Sequence, residues 1–393
     1  MEKEEGYDLM RRNTLPDLLR KNHRRFSEKN AVTCYQKGES TPRKLSYREL
    51  NEAANRFANS LYSIGCKEHD VVAIMCHNCI QFVIAAWGLL KANVIGTLVN
   101  VNLVDHEVLY QVKHSDAKIF LVEDMFVEMV QKIRHELPKV QEFGVISLSG
   151  GSVPQGWFDV DELYSEKYSS QEPMATIDND DVAIRVYTSG TTAFPKAIDL
   201  TYSNLEYISR SYVGSNGGGQ TVDSVFGYFI PLYHSGILHM LASTSLGSHL
   251  VVGSLSDMAG AIEIIEAENV TATVLPVTMF RRLINSPLKD KLKSLQMAWW
   301  FGGAMPLDVL QQWFDYFPNI RIAAQWSQSE CLVGTISWYD KTSGLPPSGN
   351  VIGKPYLDTE IKIINTNDEE VPDGEVGEIV MRSPAIMKGY YKN

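Results

Sequence analysis

The sequence predicts an α/β fold with stacked, mainly parallel sheets, flanking helices and a smaller β-rich subdomain. Two observations predict it. Apolar runs rich in β-branched residues alternate with helical stretches over most of the chain, which is typical of parallel sheets joined by crossover helices. Toward the end, two strand-like runs flank turn-rich segments, and this pattern favours antiparallel pairing.

The first clear element is a helix that begins after Ser46. Ser46 and Glu49 have the spacing of a capping box, in which the side chain of each residue accepts a hydrogen bond from the backbone N–H of the other. Apolar residues recur at helical spacing from Leu50 to Leu61, and Gly65 is placed to end the helix. Strands are then expected at 71–75, 94–99, 118–122, 182–187, 224–229, 248–252, 272–275, 296–301 and 321–325. Helices are expected at 81–91, 257–268 and 306–317, and the antiparallel pair at 358–364 and 376–381.

The length and composition limit the class of protein. The 393 residues are 44% hydrophobic and 21% charged, as in folded globular chains, and the polar stretches 150–155 and 171–181 suggest connections. We expect three subdomains, at about 1–180, 181–340 and 341–393. The net charge of −11 argues against a nucleic-acid binder, which needs a basic surface. The apolar run 82–90 is too short to span a membrane and the first residues lack a signal-peptide core, so we expect a cytoplasmic protein.

The five cysteines are sparse and odd in number, which argues against a disulfide framework. Cys76 and Cys79 have the CxxC spacing of zinc and redox sites, but no second CxxC or HxxxH completes a metal site. We favour reduced thiols packed near a turn between a strand and a helix.

The segment most informative about chemistry is Tyr187-Thr188-Ser189-Gly190-Thr191-Thr192-Ala193-Phe194-Pro195-Lys196. Hydroxyls surround a glycine directly after a predicted strand, and a lysine follows. Gly190 permits a positive φ, so successive N–H groups can converge on an anion, and Lys196 adds a positive charge. The spacing is not that of a Walker A loop. The alternative is a surface turn rich in serine and threonine.

This ordered string resembles the loop YTSGTTGxPK of the adenylate-forming superfamily, which includes acyl-CoA synthetases, peptide-synthetase adenylation domains and luciferases. Only Ala193, in place of a glycine, departs from it. Further blocks resemble the family's in the same order along the chain: Pro231-Leu232-Tyr233-His234-Ser235-Gly236, Gly302-Gly303-Ala304-Met305-Pro306, Trp326-Ser327-Gln328-Ser329-Glu330, and Gly374 to Ile379 running on to Lys388-Gly389-Tyr390-Tyr391. The resemblance implies an acyl-CoA synthetase-like N-terminal domain.

The resemblance also implies a role for each matching residue. The β- and γ-phosphates of ATP would be held by Thr188, Ser189, Gly190, Thr191, Thr192 and Lys196. Gly302, Gly303 and Ala304 would pass beside the adenine, and Trp326 would face it. Ser329 would lie near the α-phosphate, and Glu330 would hold Mg²⁺. His234 and Ser327 would border the acyl group, while His239 is left unassigned and read as a core residue.

The implied reaction joins a carboxylic acid to coenzyme A. The acid attacks the α-phosphorus of MgATP, pyrophosphate leaves, and the thiol of coenzyme A then displaces AMP from the acyl-adenylate. Two alternatives remain open: a ligase that loads a carrier protein, and a non-catalytic module that binds nucleotide or acyl groups. The family's small C-terminal lid, with its lysine, has no counterpart before Asn393, so we expect these residues alone to form adenylate poorly.

The identity of the acid is weakly indicated. Trp299 and Phe301 share one face of a predicted strand that leads into the adenine segment. In the family this region approaches the acyl pocket, so the resemblance implies that their bulk would favour a short, medium or aryl acid over a long chain; core packing explains them equally well. Relatives that activate amino acids have an aspartate near this chain's Ser235 and Gly236, so the resemblance disfavours amino acids as substrates.

Overall fold

The computed structural model describes residues 12–36, 41–188, 194–215 and 219–392. Its α-helices are α1 (Asp17–Arg25), α2 (Tyr47–Ser63), α3 (Ile80–Lys91), α4 (Asp105–His114), α5 (Val127–Ile133), α6 (Tyr202–Gly214), α7 (Ile237–Leu246), α8 (Met258–Ala267), α9 (Val277–Ile284) and α10 (Leu307–Tyr316).

The strands form two large sheets and one small sheet. In chain order they are β1 (Asn30–Cys34), β2 (Arg43–Ser46), β3 (Val71–Met75), β4 (Ile95–Leu98), β5 (Ile119–Glu123), β6 (Glu142–Ile146), β7 (Phe158–Asp159), β8 (Val182–Tyr187), β9 (Ala197–Thr201), β10 (Val225–Tyr228), β11 (His249–Val252), β12 (Ala272–Pro276), β13 (Met297–Phe301), β14 (Arg321–Gln328), β15 (Cys331–Tyr339), β16 (Lys354–Pro355), β17 (Glu360–Ile364), β18 (Glu378–Arg382) and β19 (Gly389–Tyr390).

The two large sheets are parallel in their interiors; the first is antiparallel at both ends and the second at one end only. One has the order β16-β15-β14-β13-β12-β10-β11-β1-β2 and the other β19-β9-β8-β4-β3-β5-β6-β7. In the first, β10 to β14 and β1 pair in parallel, whereas β2, β15 and β16 pair antiparallel. In the second, only β9 and β19 pair antiparallel. This architecture confirms the predicted α/β class.

Local sequence explains the first long helix. Ser46 caps α2 by accepting from the N–H of Glu49, and the Glu49 carboxylate accepts from the N–H of Ser46 at 2.8 Å. Leu50 and Phe57 are buried on the face of α2 that the spacing predicts. Gly65, with φ of +88°, follows the end of the helix, as predicted.

Helix α3 is buried along its whole length. Apolar side chains surround it, so it has no solvent face, as expected of a helix inside a layered core. Its last residue, Lys91, is fully buried, and its Nζ donates to both carboxylate oxygens of Glu172 at 2.8 and 2.9 Å.

The predicted strands and helices all occur close to their expected positions, and β17 pairs antiparallel with β18, as predicted. The prediction gave no bounds for several elements: strands β1, β2, β6, β7, β9, β15, β16 and β19, and helices α1, α4, α5, α6, α7 and α9. The sheets do not follow the three expected sequence ranges, because β1 and β2 join the sheet of β10–β16 while β8, β9 and β19 join the other. The subdomain boundaries stay a prediction. In the described parts of the chain, no helix combines the length and apolar character needed to cross a membrane.

Candidate active site

The loop after β8 closes at its base. The N–H of Thr188 donates to the carbonyl of Lys196 at 3.0 Å, next to the antiparallel pair Tyr187–Ala197 that joins β8 to β9. Thr188 is half-buried and Lys196 is exposed. Ser189, Gly190, Thr191 and Thr192, predicted to bind phosphate, lie outside the described residues.

Glu330 lies in the short turn between β14 and β15. Its backbone carbonyl accepts from the N–H of Met387 at 2.9 Å, and its Oε1 accepts from the hydroxyl of Tyr390, also at 2.9 Å. Burial, that hydrogen bond and the charge of Glu330 raise the pKa of Tyr390. The chain therefore holds the carboxylate in place from both its main chain and its side chain.

Tyr390 connects Glu330 to Lys196. Strand β19 pairs with β9 so that Tyr390 faces Ile198, and the Lys196 ammonium lies 4.6 Å from the centre of the Tyr390 ring. A cation and a carboxylate thus flank a single aromatic ring. The structure brings together two residues that the sequence assigned to phosphate and to Mg²⁺, although they are 134 positions apart. Tyr390 lies in a block that resembles the family's, but the resemblance assigns it no role of its own.

The segment predicted to bind adenine follows β13. Gly302, Gly303 and Ala304 are exposed, and Gly302 has φ of +80°, a conformation that favours glycine. In the part of the chain that the structure describes, no atom lies within 4 Å of a Cβ built on Gly302 or Gly303, so neither glycine is packed against a described neighbour. Because β13 and β14 are parallel, their carboxyl ends meet at the same edge of the sheet.

Trp326 and the serines after it lie at that edge. Trp326 is half-buried and packs against Gly334 of β15, where a Cβ would come within 2.8 Å of the indole. The register shifts between Trp326 and Gln328, and such an irregularity redirects the following side chains. Ser327 is exposed and Ser329 half-buried.

His234 lies in a π-helical turn, Leu232–Gly236, just before α7. His234 is exposed, but the neighbouring protein removes part of the water from around its ring, and this desolvation lowers the pKa of the imidazole. Among the described residues, no hydrogen bond or ion pair joins the His234 ring to Lys196 or Glu330. Asn78 holds the turn: its Oδ1 accepts from the Leu232 N–H at 2.7 Å and its Nδ2 donates to the Ile230 carbonyl at 2.9 Å.

The family model described as "AMP-binding enzyme" matches residues 19–391 of the chain. The chain belongs to the AMP-binding enzyme family. This match confirms the family that the sequence blocks indicated.

Curated proteins similar to this chain include CoA ligases. The chain is 27% identical over 411 aligned residues to 4-coumarate--CoA ligase 1 of Solanum tuberosum, with 99% of this chain and 73% of that protein covered. It is 29% identical to 2-succinylbenzoate--CoA ligase of Bacillus licheniformis, with 89% and 68% covered.

Solved structures of similar fold agree. The anthranilate CoA ligase AuaEII in complex with anthranoyl-AMP superposes with a TM-score of 0.87 at 19% identity, covering 97% of this chain and 72% of that one. The N-terminal domain of FACL13 from Mycobacterium tuberculosis gives a TM-score of 0.84 at 18% identity, covering 97% and 92%. These likenesses support the fold of the AMP-binding enzyme.

The five cysteines of this AMP-binding enzyme are all buried, and none of them is in a disulfide. Cys76 follows β3, and Cys79 caps α3 by accepting from the N–H of Phe82, so the two lie at the strand–helix turn where packed thiols were predicted. Their sulfur atoms are 3.8 Å apart, and burial raises the pKa of Cys76. Within the described residues, no group of three or more His, Cys, Asp or Glu side chains is arranged to hold a metal.

Proposed function

We propose that this AMP-binding enzyme is an AMP-forming acid–thiol ligase whose triphosphate site lies between Lys196 and Glu330. In the first half-reaction a carboxylate oxygen bonds to the α-phosphorus of ATP as pyrophosphate leaves. In the second, the thiol sulfur of coenzyme A bonds to the acyl carbon, AMP leaves, and the thiol proton is released. The family and its CoA ligase relatives support this general reaction.

The observation that carries the proposal is the contact of Tyr390 with both Lys196 and Glu330. A polyphosphate is stabilised by positive charge and by a metal ion. Lys196 supplies the positive charge, Glu330 can hold the metal, and both contact the same tyrosine. Thr188 at the base of the loop adds a hydroxyl. The proposal also includes Ser189, Gly190, Thr191 and Thr192, on the resemblance of the loop.

The Glu330 carboxylate fits Mg²⁺. It is half-buried and belongs to no group of three or more metal-binding side chains among the described residues, and Mg²⁺ commonly takes one or two carboxylates with its other ligands from phosphate and water. When bound there with ATP, the ion would neutralise charge on the phosphate oxygens. Glu330, held by Tyr390, would keep the polyphosphate near Lys196.

The remaining residues would bind the base and the acid. The exposed backbone of Gly302, Gly303 and Ala304 leaves room for adenine, and the indole of Trp326 at the neighbouring strand end offers it an aromatic face. Ser329, beside Glu330, would donate to the α-phosphate. Ser327 and His234 would border the acyl group, where the desolvated imidazole remains neutral near pH 7.

The proposal is tested by following AMP, pyrophosphate and acyl-CoA with a panel of short, medium and aryl acids. Glu330→Gln should lower the rate of AMP formation at least about tenfold, because the carboxylate that holds the metal is lost. Glu375→Gln, an exposed glutamate in a late turn, is the matched control and should leave the rate unchanged.

Each product pattern has a meaning. Acyl-CoA together with AMP supports the ligase. Transfer to a phosphopantetheinyl carrier protein but never to coenzyme A would instead identify a carrier-loading enzyme. ATP binding without pyrophosphate release from any acid would leave a binding module. We place the activity in the cytoplasm, because five buried cysteines outside disulfides suit a reducing compartment.

A further inference from the structure

Helix α4 contacts both sides of the loop that joins β8 to β9. The described residues of this loop form two limbs: Thr188 is the first limb, and residues 194–196, which end in the lysine proposed to bind phosphate, are the second limb. Tyr110 and His114 are four residues apart on α4, so they lie on one face of the helix, and their rings stack with centres 5.3 Å apart. His114 contacts Tyr187, which directly precedes the first limb, and Tyr110 contacts the second limb. A single face of α4 therefore reaches both limbs.

Tyr110 contacts the second limb through its ring and through its hydroxyl. Its ring lies against the Phe194 ring, with centres 5.2 Å apart, and its hydroxyl donates to the Pro195 carbonyl at 3.2 Å. The proline ring fixes φ at residue 195, so the orientation of its carbonyl depends on ψ alone. Because that carbonyl shares a planar peptide with the N–H of Lys196, the hydrogen bond also orients the backbone from which the lysine side chain projects.

His114 holds the start of the loop by donating a hydrogen bond. The Tyr187 hydroxyl has a single proton, which it donates to the Gln111 carbonyl at 3.1 Å. The His114 Nδ1, 2.9 Å from the same hydroxyl oxygen, therefore carries a proton and donates it. Burial and the charges of Lys392 and Arg185 lower the pKa of His114, so the ring is neutral at pH 7 and has its proton on Nδ1. Two hydrogen bonds from one helix thus fix the tyrosine from which the first limb continues.

The C-terminal end of α4 is anchored to neighbouring strands. Carbonyls in the last turn of a helix have no partner within the helix. Here the Arg185 guanidinium donates to the Ser115 carbonyl and the Lys392 ammonium donates to the His114 carbonyl, each at 2.9 Å. Both donors are positively charged, which suits the negative end of the helix dipole. Because Arg185 lies on β8 and Lys392 follows β19, the helix has a fixed position relative to both strands.

The contacts of Tyr110 contribute little to the core. Among the described residues, the buried core contains neither Tyr110 nor Phe194, and Phe194 is 64% exposed. Apolar surface that stays in contact with water adds little to folding stability. An exposed phenylalanine held against a tyrosine, two residues before Lys196, therefore indicates a role in placing the loop.

We infer that Tyr110 and His114 are positioning residues, which hold the two limbs of the loop in the arrangement that binds the β- and γ-phosphates of ATP. This inference rests on the proposed ligase function. Tyr110 acts on Lys196 through the Pro195 carbonyl. His114 acts on the first limb through Tyr187. Loss of either contact should weaken the binding of ATP and spare AMP, because AMP lacks the β- and γ-phosphates.

Calorimetric titration with ATP and with AMP, both with Mg²⁺, measures this difference. Tyr110→Phe removes the hydroxyl, keeps the ring, and should lower the ratio of ATP affinity to AMP affinity about fivefold, as expected for one neutral hydrogen bond. Tyr110→Leu also removes the ring contact with Phe194 and should lower the ratio about tenfold. Tyr62→Phe is the matched control and should leave the ratio unchanged, because the Tyr62 hydroxyl also donates to a backbone carbonyl, that of Ala92 at 2.9 Å, but lies on α2.

Variants of His114 test the first limb. His114→Leu removes the donor to Tyr187 and should lower the ratio about threefold. His114→Asn places an amide N–H near the position of Nδ1 and should restore most of the ratio. A general loss of packing would not be repaired by this shorter side chain.

The outcomes separate this inference from the ligase proposal. An unchanged ratio in Tyr110→Phe and His114→Leu, with thermal unfolding showing both variants folded, overturns the inference and leaves the ligase proposal intact. Equal losses of ATP and AMP affinity indicate a general structural role and overturn it too. If the native chain binds neither nucleotide, the ligase proposal and the inference are both overturned.

Discussion

Replacing Tyr390 tests how the site holds its carboxylate. The Tyr390 hydroxyl donates to Glu330 at 2.9 Å, and the ring lies 4.6 Å from the Lys196 ammonium. Tyr390→Phe removes the hydrogen bond and keeps the ring, whereas Tyr390→Leu removes both. The pair of variants separates the two contacts.

The expected loss of MgATP binding in each variant follows from the contact that the substitution removes. A hydrogen bond to a charged acceptor contributes about 1.5–3 kcal/mol, and the half-buried position of Tyr390 places it near the lower end. Tyr390→Phe should therefore weaken MgATP binding about tenfold. An exposed cation–π contact adds about 0.5–1 kcal/mol, so Tyr390→Leu should weaken binding about 50-fold.

The assay is calorimetric titration with ATP, with excess Mg²⁺ and again with chelator. The loss in Tyr390→Phe should appear mainly with Mg²⁺, because the hydroxyl acts through Glu330. The control is Tyr391→Phe, whose lost hydroxyl donates to Asp116 at 2.7 Å, away from Glu330. If Tyr390→Phe and Tyr391→Phe bind MgATP equally well, or if the loss is the same in chelator, the reasoning is refuted.

Three further predictions concern charge. Lys196→Met should weaken ATP binding at least about tenfold in the same titration, while Lys113→Met, at an exposed helical position, should not change it. In urea unfolding, burial of His239 lowers its pKa to about 3, against about 6.5 unfolded, so stability should fall below pH 6.5 as the unfolded chain takes up a proton, by about 3 kcal/mol at pH 4.5; His239→Phe should lack this loss, and identical pH slopes would contradict it. Asp199→Ala should lower the free energy of unfolding by about 3–5 kcal/mol, because Arg185, 2.6 Å from that carboxylate, would remain buried without its counter-charge. The double variant Arg185→Met/Asp199→Leu should recover most of the loss, and a single variant as stable as the native chain would refute the argument.

Local pattern was enough to predict the central strands. Strand β3 is buried at every residue, and β13 at all but its last, so each is a continuous apolar run with turn signals at its ends. The capping box at Ser46 was equally readable, since every atom that it requires lies within four residues. These elements carry their own signal.

Strands at or next to the edge of a sheet were harder to predict. Strand β2 (Arg43–Ser46) is only partly buried and pairs antiparallel at the end of its sheet, so its residues lack a continuous apolar run. Strand β9 (Ala197–Thr201) is buried, but it contains Asp199, whose charge is compensated by Arg185 on the neighbouring strand. A single sequence does not reveal that pairing.

The sequence motifs of the candidate site could be predicted, but the contacts between their residues could not. Lys196 and Glu330 were recognised from their local strings, whereas Tyr390 owes its place to the pairing of β19 with β9. Asn78, which hydrogen-bonds to the turn that carries His234, lies between Cys76 and Cys79, and the CxxC pattern indicates a role only for the two cysteines. In both cases the partners are far apart in sequence, so only the assembled fold brings them together.

The most direct measurement is a crystal structure of the chain with Mg²⁺ and a non-hydrolysable ATP analogue. We expect the β- and γ-phosphates to contact Lys196 and the loop that begins at Thr188, with the metal between the phosphates and the Glu330 carboxylate. A triphosphate bound elsewhere, with Lys196 and Glu330 still joined only through Tyr390, would contradict the account.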